Sequence, residues 1–180
     1  DFASYDLSSV RTGIMAGSPC PESMMTQLIE AGIDEMTICY GMTETSPVST
    51  QTRTDDSFAR KVGTVGAVHP HLEIKVVDPV SGATLERGEP GELCTRGYSV
   101  MLGYWNDPDK TADAIDPDGW MHTGDLAVMR DDGYCNIVGR IKDMVIRGGE
   151  NIYPKEIEEF LYAHPDIEDV QVIGVPDQKY

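Results

Sequence analysis

The chain has 180 residues, the length of one ordinary domain or two small ones. With 40% hydrophobic and 25% charged residues it has globular composition, not that of a disordered or fibrous chain, and it has no run of about 18 apolar residues that could form a transmembrane helix. Its 31 acidic and 14 basic residues give a net charge of −17. That argues against a general nucleic-acid or anionic-membrane surface, because phosphate binding needs clustered Lys and Arg. A local site for one small anion stays open.

Val10 to Ala16 (VRTGIMA) reads as a buried strand leading into the loop Gly17-Ser18-Pro19-Cys20. Pro21 suits the first turn of a helix and Glu22 favours its N-terminus. That helix carries Met24, Met25, Leu28 and Ile29 and should stop at Gly32. A second apolar strand, Met36 to Tyr40, runs into Gly41. Strand, helix and strand at this spacing predict a βαβ unit, whose ligand edge is the C-terminal ends of its parallel strands.

From Phe58 the pattern changes, punctuated by Gly63 and Gly66. Leu72 to Val77 reads as a strand, a Pro79–Gly82 turn follows, and Gly91 to Arg96 reads as its partner. Asp107 should cap a short helix with Pro108 in its first position. Leu126 to Arg130 and Tyr134 to Val138 flank Asp131-Asp132-Gly133, a hairpin signal. This stretch is expected to be a small antiparallel subdomain. After the polar Gly139 to Asp143 come a strand at Met144 to Ile146, the pair Gly148-Gly149, a helix from Pro154 to His164-Pro165, and a final strand at Val170 to Val175.

The cysteines Cys20, Cys39, Cys94 and Cys135 form no C-x-x-C pair, so the spacing suggests neither zinc ligation nor a redox dithiol. They read as buried thiols of a protein in a reducing compartment. The polar start at Asp1 carries no signal peptide, and the absence of an initiator Met together with the end at Tyr180 suggests a piece of a longer protein.

Three segments could carry chemistry. In Tyr40-Gly41-Met42-Thr43-Glu44-Thr45-Ser46-Pro47, a glycine at a strand end lets backbone amides approach an anion, Thr43 offers a hydroxyl, and Glu44 offers a hard oxygen suited to Mg²⁺. The same residues also read as a polar turn with a helix cap. In Trp120-Met121-His122-Thr123-Gly124-Asp125-Leu126, Asp125 sits in a turn ahead of a strand, where it could accept from a vicinal diol or simply cap its own backbone. His122 reads as structural. In Gly139-Arg140-Ile141-Lys142-Asp143 and Arg147-Gly148-Gly149-Glu150-Asn151-Ile152-Tyr153-Pro154, local cations could offset the repulsion a chain this acidic exerts on a nucleotide, or could form ordinary surface salt bridges.

In this order and spacing, YGMTETSP, GWMHTGDLA, GRIKDMVIRGGENIYPKEIEE and VMLGYWNDPDKT resemble the signatures of the adenylate-forming (AMP-binding) acyl-CoA synthetase family across essentially the whole chain. AGSPCP, CTRGYSVMLGYW and VIRGGENIYP look most like its medium-chain fatty acyl-CoA members. The resemblance implies an α/β fold with an antiparallel β subdomain. Residues 1–57 would end the large N-terminal α/β subdomain, 58–141 would form a β-barrel-like subdomain, and 142–180 would be the hinge and the beginning of a small α+β domain. It also implies that the phosphate loop lies upstream and the carboxylate-contacting lysine downstream, so the 180 residues alone are expected to be inactive.

The activity implied is ATP-dependent: an acid becomes an acyl-adenylate, and the acyl group then passes to CoA. ATP, Mg²⁺ and CoA are the cofactors and substrates implied, with small molecules rather than nucleic acid as partners and a cytoplasmic or mitochondrial-matrix location. By match to the motifs, Gly17, Ser18 and Pro19 should border the adenine and acyl groups. Tyr40 should stack on adenine beside Gly41 and Met42, Thr43 should contact phosphate, and Glu44 should hold Mg²⁺. Asp125 should bind both ribose hydroxyls and Arg140 should add a ribose or phosphate contact. Lys142 matches the hinge, and Arg147, Gly148, Gly149 and Glu150 match a loop brought against pantetheine. Serine at position 18 stands where the family more often has alanine. An adenylation domain loading a carrier-protein thiol, and a non-catalytic piece, are the alternatives.

Overall fold

The computed structural model describes residues 4–18, 20–148, 150–162, 164 and 166–177. β1 (Thr12–Met15), α1 (Glu22–Glu30) and β2 (Glu35–Gly41) form the expected βαβ unit, with β1 and β2 parallel and Met15 opposite Ile38. Pro21 is the extended residue ahead of the helix, and Gly32 takes φ +83°, which ends it at little steric cost. Met25 is fully buried and packs with Ile33, Met36 and Ile38. Met24 and Ile29, expected on the same stripe, are partly exposed, at 49% and 37%.

β1 was expected to be buried, but Ile14 is 59% exposed. The strand pairs only with β2 among the described residues, so one of its edges is left open. β2 pairs antiparallel with β3 (Val48–Gln51), and β3 pairs with β4 (Ala67–Val68). Neither β3 nor β4 is legible as a strand in the sequence. The helix α2 (Phe58–Gly63) lies between them, and Phe58, Val62 and Val65 pack on the first core. Residues 58–68 therefore join the first sheet, although the sequence pattern already changes at Phe58.

Two of the polar groups this layer buries, Thr52 and Lys61, are hydrogen-bonded within it. Thr52 Oγ1 accepts from the Ile38 amide at 2.8 Å. Lys61 is buried, and its ammonium donates to the carbonyls of Thr54 at 2.8 Å and Asp34 at 3.1 Å.

The second sheet is an antiparallel meander of β5 (Leu72–Val77), β6 (Pro90–Gly97), β7 (Met121–Met129) and β8 (Cys135–Arg140), in that order. Its core is Val76, Leu93 and Ala127, against which Tyr40, Ile74, Leu85, Met129 and Ile137 pack. The Asp131-Asp132-Gly133 turn joins β7 to β8 as expected. α3 (Pro108–Ala114) starts where Asp107 accepts from the Lys110 amide at 3.1 Å. Burial pushes the thiols of Cys94 and Cys135 up to about 12 and about 11, so both stay protonated at neutral pH. All four cysteines are free thiols.

The two sheets are tied by backbone bonds, Val65 N–H to the Cys135 carbonyl at 2.8 Å and Cys135 N–H to the Gly66 carbonyl at 3.0 Å. After β8, a one-turn 3₁₀ segment (Ile141–Asp143) leads to the ribbon β9 (Val145–Arg147) and β10 (Glu150–Ile152), then α4 (Pro154–Tyr162). Lys155 anchors α4 to the sheet by donating to the Ile137 carbonyl at 2.7 Å.

The strand expected at Val170 to Val175 is not formed. The chain passes close to Val145 at Gly174, but no ladder of backbone bonds forms, and an apolar run becomes a strand only where a partner edge is offered. Among the described residues, no helix is long and apolar enough to cross a membrane.

Candidate nucleotide site

Tyr40 and Gly41 close β2, and the chain then turns through Met42 into a 3₁₀ segment, Thr43–Thr45. The loop is pinned from inside by Thr45, which is fully buried. Its hydroxyl accepts from the Met42 amide at 3.0 Å and lies 3.0 Å from the carbonyls of Met42 and Pro47, one of which takes its single proton. Thr43 is consequently exposed and Glu44 half-exposed. Gly41 was read as making room for a ligand, but a Cβ there would stand 1.7 Å from the Pro47 carbonyl oxygen. The loop's own backbone already requires glycine at this position.

Glu44 is held by the loop that follows β6. Its backbone carbonyl accepts from the Met101 amide at 2.8 Å, and its Oε1 accepts from the Tyr104 hydroxyl at 2.9 Å. That bond, with a smaller contribution from burial, raises the pKa of the Tyr104 phenol above its usual value. Tyr104 carries no signal in the sequence that would link it to Glu44, 60 residues away.

Asp125 does not precede a strand, as expected, but lies inside β7. Cys94 pairs with His122 and Glu92 with Leu126, so the three residues Thr123–Asp125 stand opposite the single Leu93. This bulge, with Gly124 at φ +71°, is why T-G-D reads as a turn in the sequence. The Asp125 carboxylate ends at a junction of three elements. Oδ2 accepts from the Tyr40 hydroxyl at 2.7 Å, and Oδ1 lies 3.3 Å from Nε of Arg140, its ladder partner on β8. Burial is the main reason the Tyr40 phenol titrates far above its usual range, so it remains a donor at neutral pH.

The remaining expected residues fall in two places. Gly17, at φ +85°, and Ser18 are exposed just after β1, on the same strand-end edge as Tyr40. Pro19 lies outside the described residues. Lys142 is exposed in the 3₁₀ segment after β8. Arg147 and Gly148 are exposed where β9 turns into β10, with Arg147 opposite Glu150, and Gly149 lies outside the described residues. The structure therefore gathers Tyr40, Asp125 and Arg140 into one cluster, with Tyr40 leading into the Thr43–Glu44 turn, while the ribbon follows in the chain after the 3₁₀ segment.

An α/β layer joined to an antiparallel sheet is a fold shared with adenylate-forming enzymes. The chain belongs to the AMP-binding enzyme family, whose pattern matches residues 1–105. It is 62% identical to YngI of Bacillus subtilis (strain 168), which carries the name of an acyl-CoA synthetase, over 100% of this chain and 33% of that protein. It is 49% identical to the mitochondrial medium-chain acyl-CoA ligase ACSF2 of Bos taurus, over 99% of this chain and 29% of that one. Among solved structures it resembles ATP-bound MatB from Rhodopseudomonas palustris, with a TM-score of 0.83 and 37% identity over 92% of this chain and 32% of that one. The chain spans about a third of the length of the relatives it matches.

Proposed function

We propose that these residues serve an ATP-dependent acyl-CoA ligase acting on a carboxylic acid, a medium-chain fatty acid being the substrate class favoured. The observation that carries this reading is the Tyr40–Asp125–Arg140 cluster, an acceptor carboxylate fixed from both sides at a strand-end edge. Its two oxygens match the two hydroxyls of a ribose. Arg140 offsets the repulsion that a net charge of −17 exerts on a nucleotide, and the half-buried Tyr40 offers a ring face beside the same carboxylate for adenine.

A carboxylate is a poor acyl donor because its leaving group would be oxide. In the proposed reaction a carboxylate oxygen attacks the α-phosphorus of ATP, the α–β phosphoanhydride bond breaks, and pyrophosphate departs. The CoA sulfur then attacks the acyl carbon of the adenylate, the acyl–phosphate bond breaks with AMP as leaving group, and the thiol proton is released. The chain's part is positioning. Asp125, Tyr40 and Arg140 hold the nucleoside, with Gly17, Ser18, Gly41 and Met42 bordering it, while the Thr43 hydroxyl faces the phosphates.

Glu44 fits a magnesium ion carried in on those phosphates. It is a half-exposed carboxylate beside a hydroxyl, and Mg²⁺ commonly takes only one or two protein carboxylates along with substrate phosphate. When bound, the ion would neutralise charge on the phosphates. Lys142, exposed between the sheet and the ribbon, suits a hinge that brings Arg147, Gly148 and Glu150 toward the CoA thiol in the second step. In this reading the first sheet ends a larger α/β domain, the meander forms the second subdomain, and residues 142–180 begin a small mobile one. The free thiols favour a reducing compartment such as cytosol or mitochondrial matrix.

The test is acid-dependent ATP–pyrophosphate exchange and CoA-thioester formation by a protein of the relatives' length carrying this chain, across fatty acids of rising length. AMP and pyrophosphate released with a medium-chain optimum would support the reading. Release of ADP, or no acid dependence, would refute it.

A further inference from the structure

One carboxylate near the cluster is used by nothing above. Glu92 lies on β6 and is only 8% exposed, in a strand otherwise apolar at its centre (GELCTRG). A charge so placed is costly unless paired and hydrogen-bonded. Glu92 Oε1 accepts from the Gly124 amide at 3.0 Å, and its Oε2 lies 2.7 Å from Nδ1 of His122.

The position of these bonds explains their use. Where Thr123–Asp125 bulge away from Leu93, the regular β6–β7 ladder is interrupted, and side chains replace its backbone bonds. The Thr123 hydroxyl donates to the Leu93 carbonyl at 2.7 Å and accepts from the Asp125 amide at 3.1 Å. The Glu92 carboxylate takes the Gly124 amide. The residue on each side of the Gly124–Asp125 peptide is thus fixed by a side chain, and Gly124, at φ +71°, has no side chain of its own to hold it.

Glu92, Cys94 and His122 also place one donor atom each within 4.8 Å of one another, the composition of a metal site. The spacing favours a hydrogen-bonded pair instead. Two ligands about 2.0–2.1 Å from a tetrahedral zinc stand about 3.3 Å apart, whereas Glu92 and His122 are at 2.7 Å.

We propose that Glu92 is a positioning residue: held by His122, its carboxylate fixes Gly124 and thereby sets where Asp125 presents its oxygens to the ribose diol of the nucleotide. This rests on the reading that Asp125 takes that diol. His122 stands at the other end of the relay, with Nε2 3.9 Å from Asp116 Oδ2.

The experiment compares kcat/KM for ATP with that for 2′-deoxy-ATP in a ligase of the relatives' length carrying this chain. Asp125→Ala should abolish the preference for ATP. Glu92→Ala should lower kcat/KM for ATP roughly 10- to 100-fold, mainly through KM, and erode the same preference, the loss expected when one hydrogen bond to a charged group goes. Glu92→Gln should restore the preference, because its amide oxygen still accepts from Gly124. If Glu92→Ala does not fold, Glu92→Asp carries the test: it keeps the charge but is one methylene too short for Gly124, and it should also erode the preference. If Asp125→Ala abolishes the preference and a folded Glu92→Ala or Glu92→Asp retains it in full, the positioning role is overturned and the ribose reading stands. If Asp125→Ala itself retains the preference, the ribose reading fails and the positioning role fails with it.

Discussion

The Tyr40 hydroxyl donates to Asp125 Oδ2 at 2.7 Å, joining residues 85 positions apart and on two different sheets. The end of the parallel β2 and the bulge of the antiparallel β7 are thereby held in a fixed relation, and Arg140 closes the other side of the carboxylate. Tyr40→Phe removes this bond while keeping the ring against Val76, Leu93 and Ala127. Because Asp125 keeps some contact with water, the cost in folding free energy should be about 1.5 kcal/mol, the low end for a bond to a charged group. Denaturant unfolding and ATP kinetics should both register the loss. A variant unchanged in both would mean that Tyr40 does not hold Asp125.

The Tyr104–Glu44 bond predicts a division between two variants. Tyr104→Phe frees Oε1 of Glu44 without removing a ligand, so the magnesium requirement should shift about 10-fold, the low end for a group that orients a ligand. Glu44→Ala removes the carboxylate and should lower kcat at least 100-fold while the fold survives. Activity titrated against magnesium checks both. Equal effects of the two substitutions would place Glu44 in a structural role.

Asp56, in the loop ahead of α2, and Tyr134, beside β8, form a further tie between the two layers. The Tyr134 hydroxyl lies 2.9 and 3.0 Å from the two Asp56 oxygens, and the Arg53 amide donates to Oδ2 at 2.7 Å. Burial alone would raise the Asp56 pKa, but these donors and Arg60 outweigh it and hold the carboxyl below its usual value. Burial, and then Asp56, push the Tyr134 phenol up. A lowered carboxyl stabilises fully above its unfolded value of about 3.9 and less as pH falls through its folded value; a raised phenol stabilises fully below about 10 and less as pH rises through its folded value. Asp56→Asn should therefore cost about 1–3 kcal/mol between about pH 5 and 9, and the difference should shrink below about pH 4. Unfolding curves across pH measure it. A difference that persists undiminished in acid would contradict the assignment.

Lys142 is exposed in the 3₁₀ segment, where the φ of proline is compatible with the backbone. Lys142→Pro should fold normally and restrict rotation there. Thioester formation from CoA should then fall at least ten times further than adenylate formation. Equal loss in both half-reactions would mean that the ribbon does not move about this point.

The sequence and the structure agree where the signal is local. Asp107 with Pro108 announces α3, Asp131-Asp132-Gly133 announces the β7–β8 turn, and Pro21 and Gly32 bracket α1. They diverge where burial depends on partners far away in sequence. Thr50 and Thr52 look like loop residues, yet both are buried, in β3 or just after it, because groups far away in sequence take up their hydroxyls: the Val65 carbonyl that of Thr50 and the Ile38 amide that of Thr52. The apolar Val170 to Val175 fails in the opposite sense, having composition without a partner edge. Within the site, the motif residues were legible, but Thr45, Tyr104 and Glu92 were not. Of these only Glu92 leaves a trace, a charge inside an apolar strand that must have a partner.

The measurement that tests the account most directly is kcat/KM for ATP, taken together with the melting temperature, in Asp125→Ala and Asp125→Asn variants of a ligase of the relatives' length. If Asp125 accepts from two ribose hydroxyls, the alanine variant should lose about 2–5 kcal/mol of transition-state stabilisation, roughly 30- to several thousand-fold, and the asparagine variant less, since its amide oxygen still accepts one bond. A folded Asp125→Ala protein with a lowered melting temperature and normal ATP kinetics would show that Asp125 only braces Tyr40 and Arg140, and would contradict the nucleotide site.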